Sequence, residues 1–173
     1  MEHFKHTPTV EYTGNVVLKN IFLRARIRDA VLKQGAVFYE YTIQDSDRPD
    51  IIASKYYGNS AYTWILFYAN DIFDPIHDWP KTTEQFYAYI KQKYGSIERA
   101  KSELEEHHHY LLDDEFVIDR ATYFSGEYDA SRLRAVSHYD YEFELNEAKR
   151  NIKIMDATYM LQINNEFKNI FVK

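Results

Sequence analysis

The sequence predicts an α+β fold, and three stretches carry that prediction. Val37 to Ile43 is rich in β-branched and aromatic residues, the composition of a strand. Thr82 and Gln85 have the spacing of a helix capping box, and Phe86, Tyr89, Ile90 and Lys93 follow at helical intervals. Tyr139, Tyr141, Phe143 and Leu145 alternate with Asp140, Glu142 and Glu144, the pattern of a half-buried strand.

Bulk properties set the outer limits. A chain of 173 residues holds one domain, or a small module with appendages. Its 45% hydrophobic content is too apolar for a disordered chain. The formal charge of −6 argues against nucleic acid as a partner, since gripping phosphates needs a surplus of Lys and Arg. Cysteine is absent, which excludes a disulfide framework, a thiolate metal site and a cysteine nucleophile. The start, Met1 to His6, lacks the apolar core of a signal peptide. The longest nearly apolar run, Ala61 to Ala69, is too short for a bilayer, which needs about 20 residues. No membrane partner is expected. The 16 Tyr and 11 Phe are the unusual feature, and such side chains suit both large aromatic cores and protein interfaces.

Taken in order, the chain divides into four stretches. Residues 1–36 read as an N-terminal extended arm. In Leu23-Arg24-Ala25-Arg26-Ile27-Arg28, every second residue is Arg, so Arg24, Arg26 and Arg28 share one face of an extended segment. Their forked guanidinium groups suit an acidic partner, and the same spacing also suits a solvated edge strand.

Residues 37–75 read as a β-α-α core. After the strand, Asp45-Ser46-Asp47 is a turn and helix-start signal, and Pro49 suits the first helical turn. A short helix through Ile51, Ile52, Ala53 and Tyr56 should stop at Gly58-Asn59. A second, Ala61 to Asn70, is apolar nearly all round and needs cover on several sides.

Residues 76–135 should hold the capped helix up to Gly95, a shorter helix capped by Ser96, and a β-hairpin. The hairpin runs from His107 to Leu112, turns at Asp113-Asp114 and returns from Phe116 to Asp119. Residues 120–135 show no clear period and read as loop. Residues 136–173 should then form the long alternating strand, a second apolar run at Ile152-Lys153-Ile154, and a terminal helix capped by Asp156. On that helix Met160, Ile163, Phe167 and Ile170 make a narrow apolar seam. Such a seam pairs with a partner helix or docks on the chain's own core.

Candidate chemistry is sparse. The sequence has no Gly-rich phosphate loop, no GxSxG elbow and no HExxH. On a strand, His107 and His109 would share a face, and zinc would need further ligands such as His138 or a carboxylate. A solvated or packed hairpin explains the same triplet, so no metal site and no cofactor is assigned. Asp113, Asp114 and Glu115 resemble paired acid–base carboxylates, but a turn tip offers no pocket to perturb them.

Two resemblances bear on function. The segment Asp47-Arg48-Pro49-Asp50-Ile51-Ile52-Ala53-Ser54-Lys55-Tyr56-Tyr57-Gly58-Asn59, continued by Trp64, Ala69-Asn70, Ile72 and Asp74-Pro75, is similar to a LysM module. LysM modules are small βααβ units that commonly bind N-acetylglucosamine chains of peptidoglycan or chitin. The likeness implies Ile52, Tyr57, Trp64 and Tyr68 as core anchors. It departs in two places: Arg48 stands where Thr is usual in the glycan-gripping loop, and the closing Pro-Gly turn and second strand are missing, Ile76-His77-Asp78-Trp79-Pro80 leading into a helix instead. Both departures argue against sugar binding.

The wider order of Asp47-Arg48-Pro49, Tyr56-Tyr57-Gly58, Trp64, Asn70-Asp71, Asp74-Pro75, Asp78-Trp79-Pro80, Tyr94-Gly95, His108-His109-Tyr110 and Asn146-Glu147 with Arg150 resembles a second family. This is the gene-53-type baseplate wedge family of T-even-like contractile-tailed phages, which has a LysM-like core. The resemblance covers residues 18–173. It implies a structural subunit of the virion tail, assembled in the host cytoplasm and without enzyme activity. The implied partners are other wedge proteins and neighbouring wedges, joined around a hub in a large symmetric assembly. On this reading Arg24, Arg26, Arg28 and the terminal seam are partner-binding elements. The alternative is a LysM-type peptidoglycan- or glycan-binding module.

Overall fold

Strand β3 (Phe38–Thr42) finds its partner near the far end of the chain, in β7 (Asn151–Met155). The two run antiparallel, with Phe38 opposite Met155 and Thr42 opposite Asn151. The ladder continues past both ends, because Ile43 N–H donates to Arg150 O (2.9 Å) and Asp156 N–H to Val37 O (2.8 Å). This computed structural model describes residues 7–20, 37–102 and 107–170. Arg24, Arg26, Arg28 and the Ile170 side chain lie outside the described residues.

Contacts divide the chain into two units, one of Met1–Trp79 with Arg150–Lys173 and one of Pro80–Lys149. In the first, helix α1 (Pro49–Tyr57) starts at Pro49 and ends at Gly58, whose φ of 74° is the left-handed turn that glycine accepts most easily. The Asn59 side chain then accepts from Ala61 N–H (2.8 Å), opening the 3-10 turn Ser60–Tyr62 that leads into α2 (Thr63–Ala69). Ile52, Ala53, Ile65 and Leu66 from these helices pack with Ile152, Ile154 and Met155 of β7, all essentially buried. A β-α-α-β order results. The closing strand that the sequence lacks after α2 is supplied by Asn151–Met155, once the Pro80–Lys149 insertion has been passed.

Polar clamps fix that late strand in register. The Asn70 side chain donates to Lys153 O (2.8 Å) and accepts from Lys153 N–H (2.7 Å), as a neighbouring strand would. The Tyr57 hydroxyl accepts from Met155 N–H (3.1 Å), and burial pushes its pKa up to about 12. Arg150 donates to Ile43 O (3.2 Å) and Asp45 (2.6 Å). Asp156 caps the 3-10 turn Ala157–Tyr159 and thereby opens helix α7 (Met160–Ile170).

The N-terminal stretch is a hairpin where it is described. Strands β1 (Thr9–Tyr12) and β2 (Val16–Lys19) pair antiparallel around Gly14 (φ 85°) and Asn15 (φ 63°). Every residue of both strands is exposed.

The second unit opens with α3 (Thr83–Tyr94), where the Thr82–Gln85 capping box is formed in both directions. Ser96 caps α4 (Ile97–Lys101) by accepting from Arg99 N–H (3.0 Å). The expected hairpin is present as β4 (His109–Leu112) and β5 (Phe116–Ile118), turning at Asp113 and Asp114, both at positive φ.

Two expectations in this unit are corrected. Residues 120–135 are structured: α5 (Arg120–Phe124) and the 3-10 turn Ala130–Arg132 lead to β6 (Leu133–Val136), which pairs with β4 to complete a three-stranded sheet. These pieces are too short to show a period. The long strand expected over 139–145 is instead helix α6 (His138–Ala148), capped by Ser137. Its buried positions are Glu142 and Asn146, four apart. Tyr139 and Phe143, on the same side, flank Phe86 at ring separations of 5.5 and 5.9 Å. The alternation of apolar residues is incidental, and Leu145 is exposed.

Candidate functional site

The side chains singled out as candidates for chemistry are engaged in structure. Asp113 holds Arg132 through two bonds (2.8 and 2.5 Å), and Asp114 pairs with Arg134 (2.7 Å). The Arg132 guanidinium keeps the Asp113 carboxyl below the usual carboxylate range, the opposite of what a general acid needs at neutral pH. The two aspartates brace a turn.

The histidine triplet is likewise spent on packing. His108 stacks on Tyr141 of α6, with ring centroids 3.6 Å apart and planes at 11°. Its Nδ1 lies 2.8 Å from Nδ1 of His109, so one ring donates and the other accepts. His107 turns to Tyr110, at 5.5 Å. Burial, then the neighbouring His109 and His138, hold the His108 pKa below its ordinary value. Among the described residues, no three His, Cys, Asp or Glu side chains converge as a metal site.

Among the described residues of the second unit, Glu142 is the charged group most fully enclosed. It receives Lys93 Nζ (2.5 Å), Tyr94 Oη (3.0 Å) and Tyr89 Oη (3.0 Å). Burial alone would raise its pKa, but Lys93 and the two tyrosines together outweigh that and lower it. Lys93 is raised in turn, first by its bond to Glu142. Asn146, one turn on, clamps Lys81 by accepting from its N–H (2.8 Å) and donating to its O (3.1 Å). The network ties α6 to α3 and to the segment before it.

The predicted anchors and seam fall together in the first unit. Ile52 and Tyr57 are buried, while Trp64 and Tyr68 are partly buried. Trp64 packs on Tyr68 (5.7 Å) and on Phe167 (4.7 Å). Met160 and Phe167 are themselves buried, and Ile163 packs partly buried on the same core. Of the two placements the seam allows, its described residues take the one on their own chain.

Among the described residues, exposed large apolar side chains include Phe116, Val117, Phe124 and Leu161, and two further groups of them share a surface. In the N-terminal hairpin, Val10 pairs with Leu18 and Tyr12 with Val16, so all four occupy one face. They are between 46% and 67% exposed. An isolated two-stranded hairpin is marginal in water, and this one leaves its apolar face bare.

The second group is on the loop after α2, which is stiff. The Asp78 carboxylate accepts from the N–H groups of Phe73 (3.0 Å) and Asp74 (2.9 Å). Asp74 accepts from Ile76 N–H (3.0 Å) and holds the His77 ring (2.6 Å). Trp79 moors the end by donating to Asp47 O (3.3 Å).

Comparison with known proteins decides which family this geometry serves. A family model described as base plate wedge protein 53 matches residues 4–114, more than half of the chain. The chain belongs to the base plate wedge protein 53 family. It is also similar to the baseplate wedge protein gp53 of Enterobacteria phage T4, with 37% identity over 57 residues. That alignment covers 33% of this chain and 29% of the T4 protein, so the matched stretch spans less than a third of that relative's length. Membership of the base plate wedge protein 53 family implies a structural place in the baseplate of a phage tail. Glycan binding gains no support from either match. For a wedge-family chain the outward surfaces matter most, and sequence reading missed both. The hairpin had a visible signal in Val10-x-Tyr12 and Val16-x-Leu18 around Gly14-Asn15. The loop had none, because its stiffness comes from how two carboxylates fold back on the backbone.

Proposed function

We propose that the chain is a non-catalytic subunit of a contractile-tail baseplate that binds other wedge proteins and joins neighbouring wedges around the hub. The observation that carries this is the wedge-family match over residues 4–114. Two features of the chain support it. The hairpin face of Val10, Tyr12, Val16 and Leu18 is apolar and bare, as a surface meant for another subunit would be. Arg24, Arg26 and Arg28, alternating in the sequence, suit an acidic neighbour. The terminal helix contributes from inside, by completing the core that carries these surfaces.

In this proposal the first unit is a LysM-like core diverted to assembly. Its β3-α1-α2-β7 order supports the likeness. Arg48, where Thr is usual, forks onto Asp50 (3.1 and 3.0 Å) in the loop that LysM modules use for glycan.

Co-expression of the tagged chain with the other wedge proteins encoded beside it tests the proposal. The expected result is a stoichiometric complex by native mass spectrometry. A chain that stays monomeric beside the complete set would overturn the reading.

A further inference from the structure

Ile76 is 81% exposed, more than any other large apolar side chain among the described residues, and Phe73 in the same loop is 53% exposed. Such exposure on a mobile loop would mean little. This loop is held. Its backbone N–H groups at Phe73, Asp74 and Ile76 are taken by the Asp74 and Asp78 carboxylates, and Asp78 N–H donates to Asp74 O (2.7 Å). Pro75 fixes its own φ between them. Asn70 at one end is tied to β7, and Trp79 at the other packs on the core of the first unit. The ordering entropy that usually weakens loop-mediated binding is therefore already spent in folding.

We propose that the Phe73–Asp78 loop is a docking knob that seats Ile76 and Phe73 in an apolar pocket on a different baseplate protein, bordered by Lys or Arg. The proposal rests on the assembly role above and names one of its contacts. Charge selects the partner. Asp71, Asp74 and Asp78 lie in the same short segment as the apolar tip, and the contact with His77 holds the Asp74 carboxyl below the usual carboxylate range. A cationic rim complements it. A second copy of this chain, at a formal charge of −6, adds net like-charge repulsion and is the poorer match.

The test uses the full chain and the subcomplex of the other wedge proteins, purified without it. Ile76→Ser and Phe73→Ser should each weaken binding to that subcomplex about tenfold or more, the loss expected when an apolar anchor no longer fills its pocket. Ile76→Ser should leave the melting curve of the free chain unchanged, since the side chain lies in solvent there. A photo-crosslinking residue at position 76 should then mark an apolar segment with Lys or Arg beside it on another protein. Wild-type affinity in the Ile76→Ser chain would overturn the knob while leaving the assembly role standing. So would a crosslink to a second copy, or to an acidic surface. Failure of the wild-type chain itself to bind the subcomplex would instead overturn the assembly role, and the knob with it.

Discussion

Glu142 shows why individual residues in this chain must be judged by their partners. A carboxylate in the middle of an aromatic segment signals a solvent-facing position, yet this one is buried and satisfied by Lys93, Tyr94 and Tyr89. Its pKa is lowered in the folded state, so its ionised form adds stability that is complete above the ordinary carboxylate pKa of about 4.5. That stability is lost as pH falls through the lower, folded value. Lys93→Met removes the strongest of the bonds that oppose burial and leaves two tyrosine hydroxyls to hold a buried charge. The Glu142 pKa should rise, and acid unfolding of the second unit should begin at higher pH than in the parent. At neutral pH the cost should be about 1–3 kcal/mol, the usual penalty for under-satisfying a buried polar group. Carbon-detected titration of Glu142 and acid melts would check this. An unmoved acid midpoint would mean that the tyrosines alone stabilise the carboxylate.

Whole elements were legible where their signals are local. The Thr82–Gln85 capping box, the Gly58 and Gly95 stops, the Ser96 and Asp156 caps and the Asp113-Asp114 turn all act within a few residues of themselves, and each stands where the sequence puts it. Helix α6 was misread because its inward face carries Glu142 and Asn146, so apolar alternation pointed to a strand. Strand β6 and helix α5 are shorter than the pattern needed to recognise them. The seam of α7 shows a different limit: its spacing defines an apolar stripe but not what covers the stripe. Because Met160 and Phe167 lie in the core beside Trp64, ending the chain at Met155 should destabilise the first unit by about 3 kcal/mol or more, as large core deletions do. A circular-dichroism melt would register it; an unchanged melting temperature would place α7 outside the core. Changing Arg24, Arg26 and Arg28 together to Glu should have the reverse profile. Melting should be preserved and wedge binding weakened, most severely at low salt, where charge reversal is least screened. Binding that survives the triple change would leave the three arginines as solvated surface.

At the scale of the molecule, the decisive feature is a pairing that no local pattern reveals. Strands β3 and β7 meet across the whole Pro80–Lys149 insertion, so the first unit closes only when both ends of the chain are in place. Its polar clamps, Asn70 on Lys153 and Tyr57 on Met155, secure a strand that arrives late in the sequence. In the proposed assembly role, this closed unit would serve as the support, and the hairpin and the Phe73–Asp78 loop as the surfaces that meet other proteins. Hydrogen–deuterium exchange, compared between the free chain and the assembled wedge complex, tests that division directly. In the free chain, β3 and β7 should already be protected, while the hairpin from Thr9 to Lys19 exchanges quickly. In the complex, the hairpin should become protected and the β3–β7 pair should change little. A hairpin that exchanges equally fast in both states would contradict the account.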